Sequence, residues 1–117
     1  MPYSQSLRAL LEVNRMFILE QREINAALIN TFLGVCMGSR HAGLVEPVSI
    51  TELSRRIGLQ PTTVSRHVRY LGPGPRAGRE GMGLVEMVPS PDDGRERLVS
   101  LTTKGEALLG RLLMAGL

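Results

Sequence analysis

The chain has 117 residues, 43% of them hydrophobic, which supports one domain with a modest core. Two Phe, two Tyr and no Trp are too few rings for a stacking platform on single strands, and one cysteine excludes an internal disulfide and fits a reducing cytoplasm. The net charge of +3 lies wholly in residues 51–117, with ten basic and seven acidic side chains, whereas residues 1–50 balance four Arg against four Glu.

Residues 4–38 carry helical signals almost throughout, with no Gly or Pro between Tyr3 and Leu33. Leu7, Leu10, Leu11, Asn14, Phe17 and Ile18 follow helical spacing and make one face mostly apolar. This stripe is expected to serve as core and dimer seam, because a lone helix must bury it somewhere. Asn25 is placed to cap a second helix after a break near Arg22, with Leu28, Phe32 and Val35 inward; a single unbroken helix is the alternative. Cys36 reads as a small core residue, with a redox role as the other reading. Residues 38–43 read as a loop.

Ser49-Ile50-Thr51-Glu52 has the form of a capping box and starts a short helix to Ile57, which Gly58 ends. Pro61 suits the first position of the next helix. The two are separated by about three residues, as in a helix-turn-helix. In the second helix Val64, Val68 and Leu71 share one side; Thr62, Arg66 and Arg69 lie opposite, flanked by Thr63, Ser65 and Tyr70. That outward face has hydroxyls and guanidinium forks and no carboxylate, a chemistry suited to base edges and phosphates. From Leu53 to Arg79 there are six Arg and no acid, a local patch of the kind phosphate binding uses.

Residues 72–83 hold glycines and prolines that no helix tolerates and are expected to form a mobile loop containing Arg76 and Arg79. Residues 84–88 and 97–101 read as paired strands joined by a charged turn with Pro89, Pro91 and Gly94. Thr102 or Thr103 caps a last helix carrying Leu108, Leu109, Leu112 and Leu113. His41 and His67 lie far apart with no ligand cluster, so no metal and no cofactor are expected. No catalytic motif stands out, and the 72–83 glycines lack the ending of a phosphate cradle, so an enzyme is not expected. No apolar run of about 18 residues and no signal pattern occur, so a cytoplasmic chain without a membrane span is expected.

The second half resembles the MarR family of winged-helix regulators. The resemblance rests on residues 51–59, on Thr63-Val64-Ser65-Arg66-His67-Val68 with Leu71, on Gly83-Leu84-Val85-Glu86, and on residues 93–105. The last segment fits the wing signature D-x-R-x-x-x-V-x-L-T-x-x-G from Asp93 to Gly105. The resemblance implies a mainly α fold with a small β-wing (α+β): one domain over 1–117, with a helical dimerisation segment at 4–38, a winged helix-turn-helix at 48–105 and a short C-terminal helix at 106–117. It implies a homodimer on double-stranded DNA, commonly a repressor, with a small-molecule effector possible but of unknown identity. Carried over by position, Thr62, Thr63, Ser65 and Arg66 meet the major groove, and Arg95 meets the minor groove with Asp93 orienting the wing. Arg69, Arg76 and Arg97 fit phosphates, and the long 72–83 loop adds Arg76 and Arg79 to the contact or is tolerated surface. With few residues after Thr103, dimerisation is expected to fall on Leu7, Leu10, Leu11, Phe17 and Ile18. Two other readings stay open: a winged helix used as a protein-interaction module, and a DNA-binding part of a replication or partition complex.

Overall fold

Asn25 decides how the chain begins. In the computed structural model, which describes residues 2–74, 78–92 and 94–116, helix α1 (Pro2–Glu20) stops and α2 (Ala26–Cys36) starts anew. The Asn25 Oδ1 accepts the Leu28 amide at 2.9 Å, satisfying a donor that has no partner in the first helical turn. The chain therefore breaks as the cap predicts, and the unbroken helix is set aside.

The apolar stripe of α1 is divided. Val13 and Phe17 are buried, while Leu7, Leu10, Leu11, Ile18 and Leu19 are exposed. Phe17 stacks edge-on against Phe32 of α2 with ring centroids 5.6 Å apart. The expectation that Phe17 joins a dimer seam is thus corrected. Its ring belongs to the core of the single chain because α2 folds back over it.

Residues 38–43 are more ordered than the expected loop. Arg40–His41 (β1) and Leu44–Val45 (β2) pair antiparallel across Ala42 and Gly43, both at positive φ (54° and 80°). Two positive-φ residues match the twist of a two-residue hairpin. The strands are too short to show alternation in sequence.

Next come β3 (Val48–Ser49), α3 (Ile50–Ile57) and α4 (Pro61–Leu71), then β4 (Val85–Pro89) and β5 (Arg97–Leu101). The sheet order is β3-β5-β4, all antiparallel, with Val48 opposite Val99 and Met87 also opposite Val99. The two expected wing strands are present, and β3 adds a third that two residues could not announce. Ser49 Oγ accepts the Glu52 amide at 3.1 Å, and Gly58 ends α3 at φ 69°. The Glu52 carboxylate turns to Arg55 and Arg56, so the capping box forms on its hydroxyl side.

Helix α2 is the platform for this unit, with Thr31, Phe32, Gly34 and Val35 buried. A Cβ at Gly34 would stand 2.6 Å from Ile57 Cγ2 and 2.8 Å from Leu53 Cδ1, so glycine lets α3 seat against α2. Val64, Val68 and Leu71 of α4 are fully buried beside it.

The described parts of 72–83 run as the expected loop, tied to the end of α4 by backbone hydrogen bonds. The Gly74 amide donates to the Arg69 carbonyl (2.8 Å), Met82 to Tyr70 (2.9 Å) and Leu84 to Leu71 (2.7 Å). A Cβ on Gly81 would overlap the Gly72 carbonyl, so the glycines permit a tight backbone knuckle at the end of α4.

Helix α5 (Thr103–Met114) is capped by Thr102, whose Oγ1 accepts the Gly105 amide at 3.1 Å and donates to the Gly83 carbonyl at 2.6 Å. Leu108, Leu109 and Leu112 are buried, whereas Leu113 stays exposed. Glu20 of α1 meets Lys104 at 3.3 Å and Arg111 at 3.0 Å, holding α1 and α5 side by side. No helix among the described residues is long and apolar enough to cross a membrane.

Candidate nucleic-acid interface

The hydrophobic back of α4 fixes what its front presents. With Val64, Val68 and Leu71 in the core, Thr62, Arg66, Arg69 and Tyr70 emerge to solvent, and Thr63 and Ser65 sit half-buried at the flanks. Arg66 and Arg69 take part in no ion pair among the described residues. Their charge is therefore available to an anion, and the turn geometry of α3 and α4 leaves this face uncovered.

The basic run divides by role. Arg55 pairs with Glu52 at 3.4 Å. Arg56 is largely buried, donates to the Gly34 carbonyl at 3.0 Å and faces Glu52 at 3.9 Å. Arg56 thereby helps seat α3 on α2, whereas Arg55 stays exposed and pairs within its own helix. The sequence held a signal for the pairing with Glu52, which stands three and four residues before them, the spacing at which helical side chains meet. Arg79 is exposed beside α4, and Arg76 lies outside the described residues.

The wing is a second arm. β4 and β5 carry the turn outward, with Pro89 opposite Arg97. The Ser90 amide donates to the Glu96 carbonyl at 2.9 Å, and the Asp92 amide donates to Ser90 Oγ at 3.3 Å. Arg95 and Arg97 are exposed, Arg95 in the turn and Arg97 at the start of β5. Asp93 lies outside the described residues, so its orienting role is an expectation only.

Beside α4 lies a cleft of about 510 Å³. Its walls are the 21–25 connection, the Arg66–Tyr70 stretch of α4 and residues 79–82. Arg66, Arg79, Glu23 and Glu80 all line it, so its charge is mixed. His67 lines this cleft and also reaches inward: its Nδ1 lies 2.9 Å from Thr31 Oγ1, which is 2.8 Å from the Ala27 carbonyl. Burial, and then the nearby Arg66 charge, lower the His67 pKa below its ordinary 6.5. The link from His67 to buried Thr31 joins residues 36 apart and left no local trace in the sequence.

Cys36 fits the core reading. Burial foremost, with the Glu106 charge adding and Arg40 opposing, pushes its thiol up to about 12. Among the described residues no group of three metal-ligating side chains occurs.

No protein-family model matches the chain, and no curated protein does. Solved structures do resemble it. A MarR-family transcriptional regulator from Rhodococcus superposes with a TM-score of 0.61 at 19% identity, covering 92% of this chain and 64% of that one. Apo MarR from E. coli gives 0.59 at 21% identity, covering 92% and 70%. BpsR from Bordetella bronchiseptica, whose DNA binding is regulated by 6-hydroxynicotinic acid, gives 0.59 at 18% identity, covering 98% and 78%. The chain thus has the MarR-type winged-helix fold, while spanning just under two thirds of the Rhodococcus chain.

Proposed function

We propose that the chain binds duplex DNA sequence-specifically as a homodimeric transcriptional regulator, acting as a repressor by occluding a promoter. The observation that carries this is the face of α4: Thr62, Arg66 and Arg69 stand outward, the two arginines with no ion pair among the described residues, backed by fully buried Val64 and Val68. A helix so mounted enters a major groove, where Thr62, Thr63, Ser65 and Arg66 meet base edges and Arg69 meets phosphate. Arg95 in the wing turn reaches the adjacent minor groove, whose narrow form concentrates negative potential. Arg97 adds a phosphate contact, Arg76 and Arg79 of the long 72–83 loop add further ones, and the orienting Asp93 is assigned by resemblance.

The dimer is proposed from the exposed part of the α1 stripe. Leu7, Leu10 and Leu11 are more than half exposed, and Leu113 and Met114 are exposed on α5, whose end lies near Ala9. A second copy covering these side chains would set two α4 helices roughly 34 Å apart, one turn of DNA. A small organic effector is part of this reading by likeness to BpsR, with its identity open.

The test is recovery of bound sequences from fragmented genomic DNA at near-physiological salt, for wild type and an Arg66→Ala/Arg95→Ala double variant. Enrichment of a two-fold symmetric site that the double variant loses supports the proposal. Absence of enrichment, or equal binding by the variant, refutes it and favours a protein-interaction role. A selected site that lies only at replication origins would place the protein in a replication complex instead.

A further inference from the structure

Thr31 has one hydroxyl proton and two close partners. The Ala27 carbonyl, 2.8 Å away, only accepts. The His67 Nδ1, 2.9 Å away, accepts or donates according to its tautomer. If the hydroxyl proton went to His67, the Thr31 and Ala27 oxygens would face each other at 2.8 Å with no hydrogen between them. If it goes to Ala27, an Nδ1–H can donate to Thr31 Oγ1, and the Ala27 carbonyl, the Thr31 hydroxyl and the His67 Nδ1 each have a partner. Thr31 is fully exposed to neither solvent nor cleft, with 0% relative accessibility, so no water relieves the first arrangement.

We infer that Thr31 holds His67 as the Nδ1–H tautomer, and that this buried link makes His67 a positioning residue for α4. The chain Ala27–Thr31–His67 ties the backbone of α2 to the middle of α4, next to Arg66. Apolar contacts through Val64 and Val68 are non-directional and leave α4 free to turn slightly about its axis. A hydrogen bond with a fixed donor does not. A rotation of α4 would carry Thr62, Ser65 and Arg66 off their base edges together, whereas phosphate contacts through long Arg side chains would adapt. The link therefore serves discrimination between sequences more than affinity for DNA. This inference rests on the DNA-binding reading for its consequence, and on the free protein alone for its chemistry.

Three measurements test it. Nitrogen-15 shifts of the His67 ring in the free protein, above the pH of its titration, should report a protonated Nδ1 and a bare Nε2. A protonated Nε2 overturns the inference whatever the protein binds. Thr31→Val keeps the shape and removes the hydroxyl, and His67→Gln removes a donor at the Nδ1 position. Each should lower discrimination between the selected site and a scrambled duplex by about tenfold, as expected when one base contact is misplaced. Binding to the scrambled duplex should stay unchanged. Thr31→Ser and His67→Asn, which keep a hydroxyl and a donor at the same positions, should restore discrimination. The double Thr31→Val/His67→Gln variant should be no worse than either single change, since both cut one link. All variants are compared at equal folded fraction by circular dichroism. Unchanged discrimination in Thr31→Val and His67→Gln overturns the inference while leaving the DNA-binding reading intact. If wild type selects no site, the DNA-binding reading fails and with it the positioning role.

Discussion

The Phe17 ring of α1 stands edge-on to the Phe32 ring of α2, at 5.6 Å between centroids and 77° between planes. Both side chains are fully buried. The pair joins the N-terminal helix to the platform that carries α3 and α4, so α1 is part of the core as well as a candidate arm. Phe17→Ala removes a large buried ring and leaves a cavity, which costs about 3–5 kcal/mol. Urea denaturation should show an unfolding free energy lowered by that amount. A loss below about 1 kcal/mol would mean that α1 does not pack on α2 in solution.

The leucines on the other side of α1 should behave in the opposite way. Leu7 and Leu11 are 66% and 64% exposed in the single chain. Leu7→Ser/Leu11→Ser therefore removes little that the monomer buries, and each change should alter its own stability by no more than about 0.5 kcal/mol. If a second copy covers this face, the variant should sediment as a monomer at concentrations where wild type is a dimer. A variant that still dimerises would place the interface elsewhere.

The contrast between Phe17 and Leu11 shows where the sequence was legible. Helical spacing put both on one stripe, but spacing has no information about which residues α2 covers: of the stripe only Phe17 is buried, beside Val13, which the stripe left out. Local signals read through well: Asn25, Ser49, Gly58 and Thr102 each do in the structure what their chemistry indicates, since a cap depends on residues two or three positions away. The outward Arg66 and Arg69 were legible for the same reason, because Val64 and Val68 had to face the core. Nothing local marked Thr31 against His67, Arg56 against the Gly34 carbonyl, or Gly81 against Gly72. Those contacts arise when helices pack or a loop closes, and a glycine permits a close approach without naming its neighbour. The two-residue strands failed for a different reason, being shorter than the alternation that identifies a strand.

Cys36 should be chemically quiet. With its thiol pushed up to about 12, chiefly by burial, the reactive thiolate is scarce at neutral pH. At pH 8 an ordinary exposed thiol is about one-quarter thiolate, whereas this one is on the order of one part in ten thousand. Iodoacetamide labelling followed by mass spectrometry should be slow in the native chain and fast in urea. Equal rates in both states would mean that the thiol is accessible and not held back by burial.

His67 should make the fold sensitive to mild acid. Its pKa in the folded chain lies below 6.5, lowered first by burial and then by Arg66. Above pH 6.5 the ring is neutral in both states, and the stability it allows is fully present. As pH falls below 6.5, the unfolded chain takes up a proton that the folded chain refuses, so stability declines; the loss is complete once pH drops below the folded pKa. Arg66 and Arg79 share the cleft with His67, as do the carboxylates of Glu23 and Glu80. The other histidine, His41, is exposed beside Glu46 on the β1–β2 hairpin and is far from α4 in sequence. His67→Asn separates the two, because it keeps a donor toward Thr31 while removing the titrating ring. Urea denaturation between pH 7.5 and pH 5 should show stability falling in wild type and a flatter profile in His67→Asn. An equal slope in the variant would assign the acid sensitivity to another group and place the His67 ring in water.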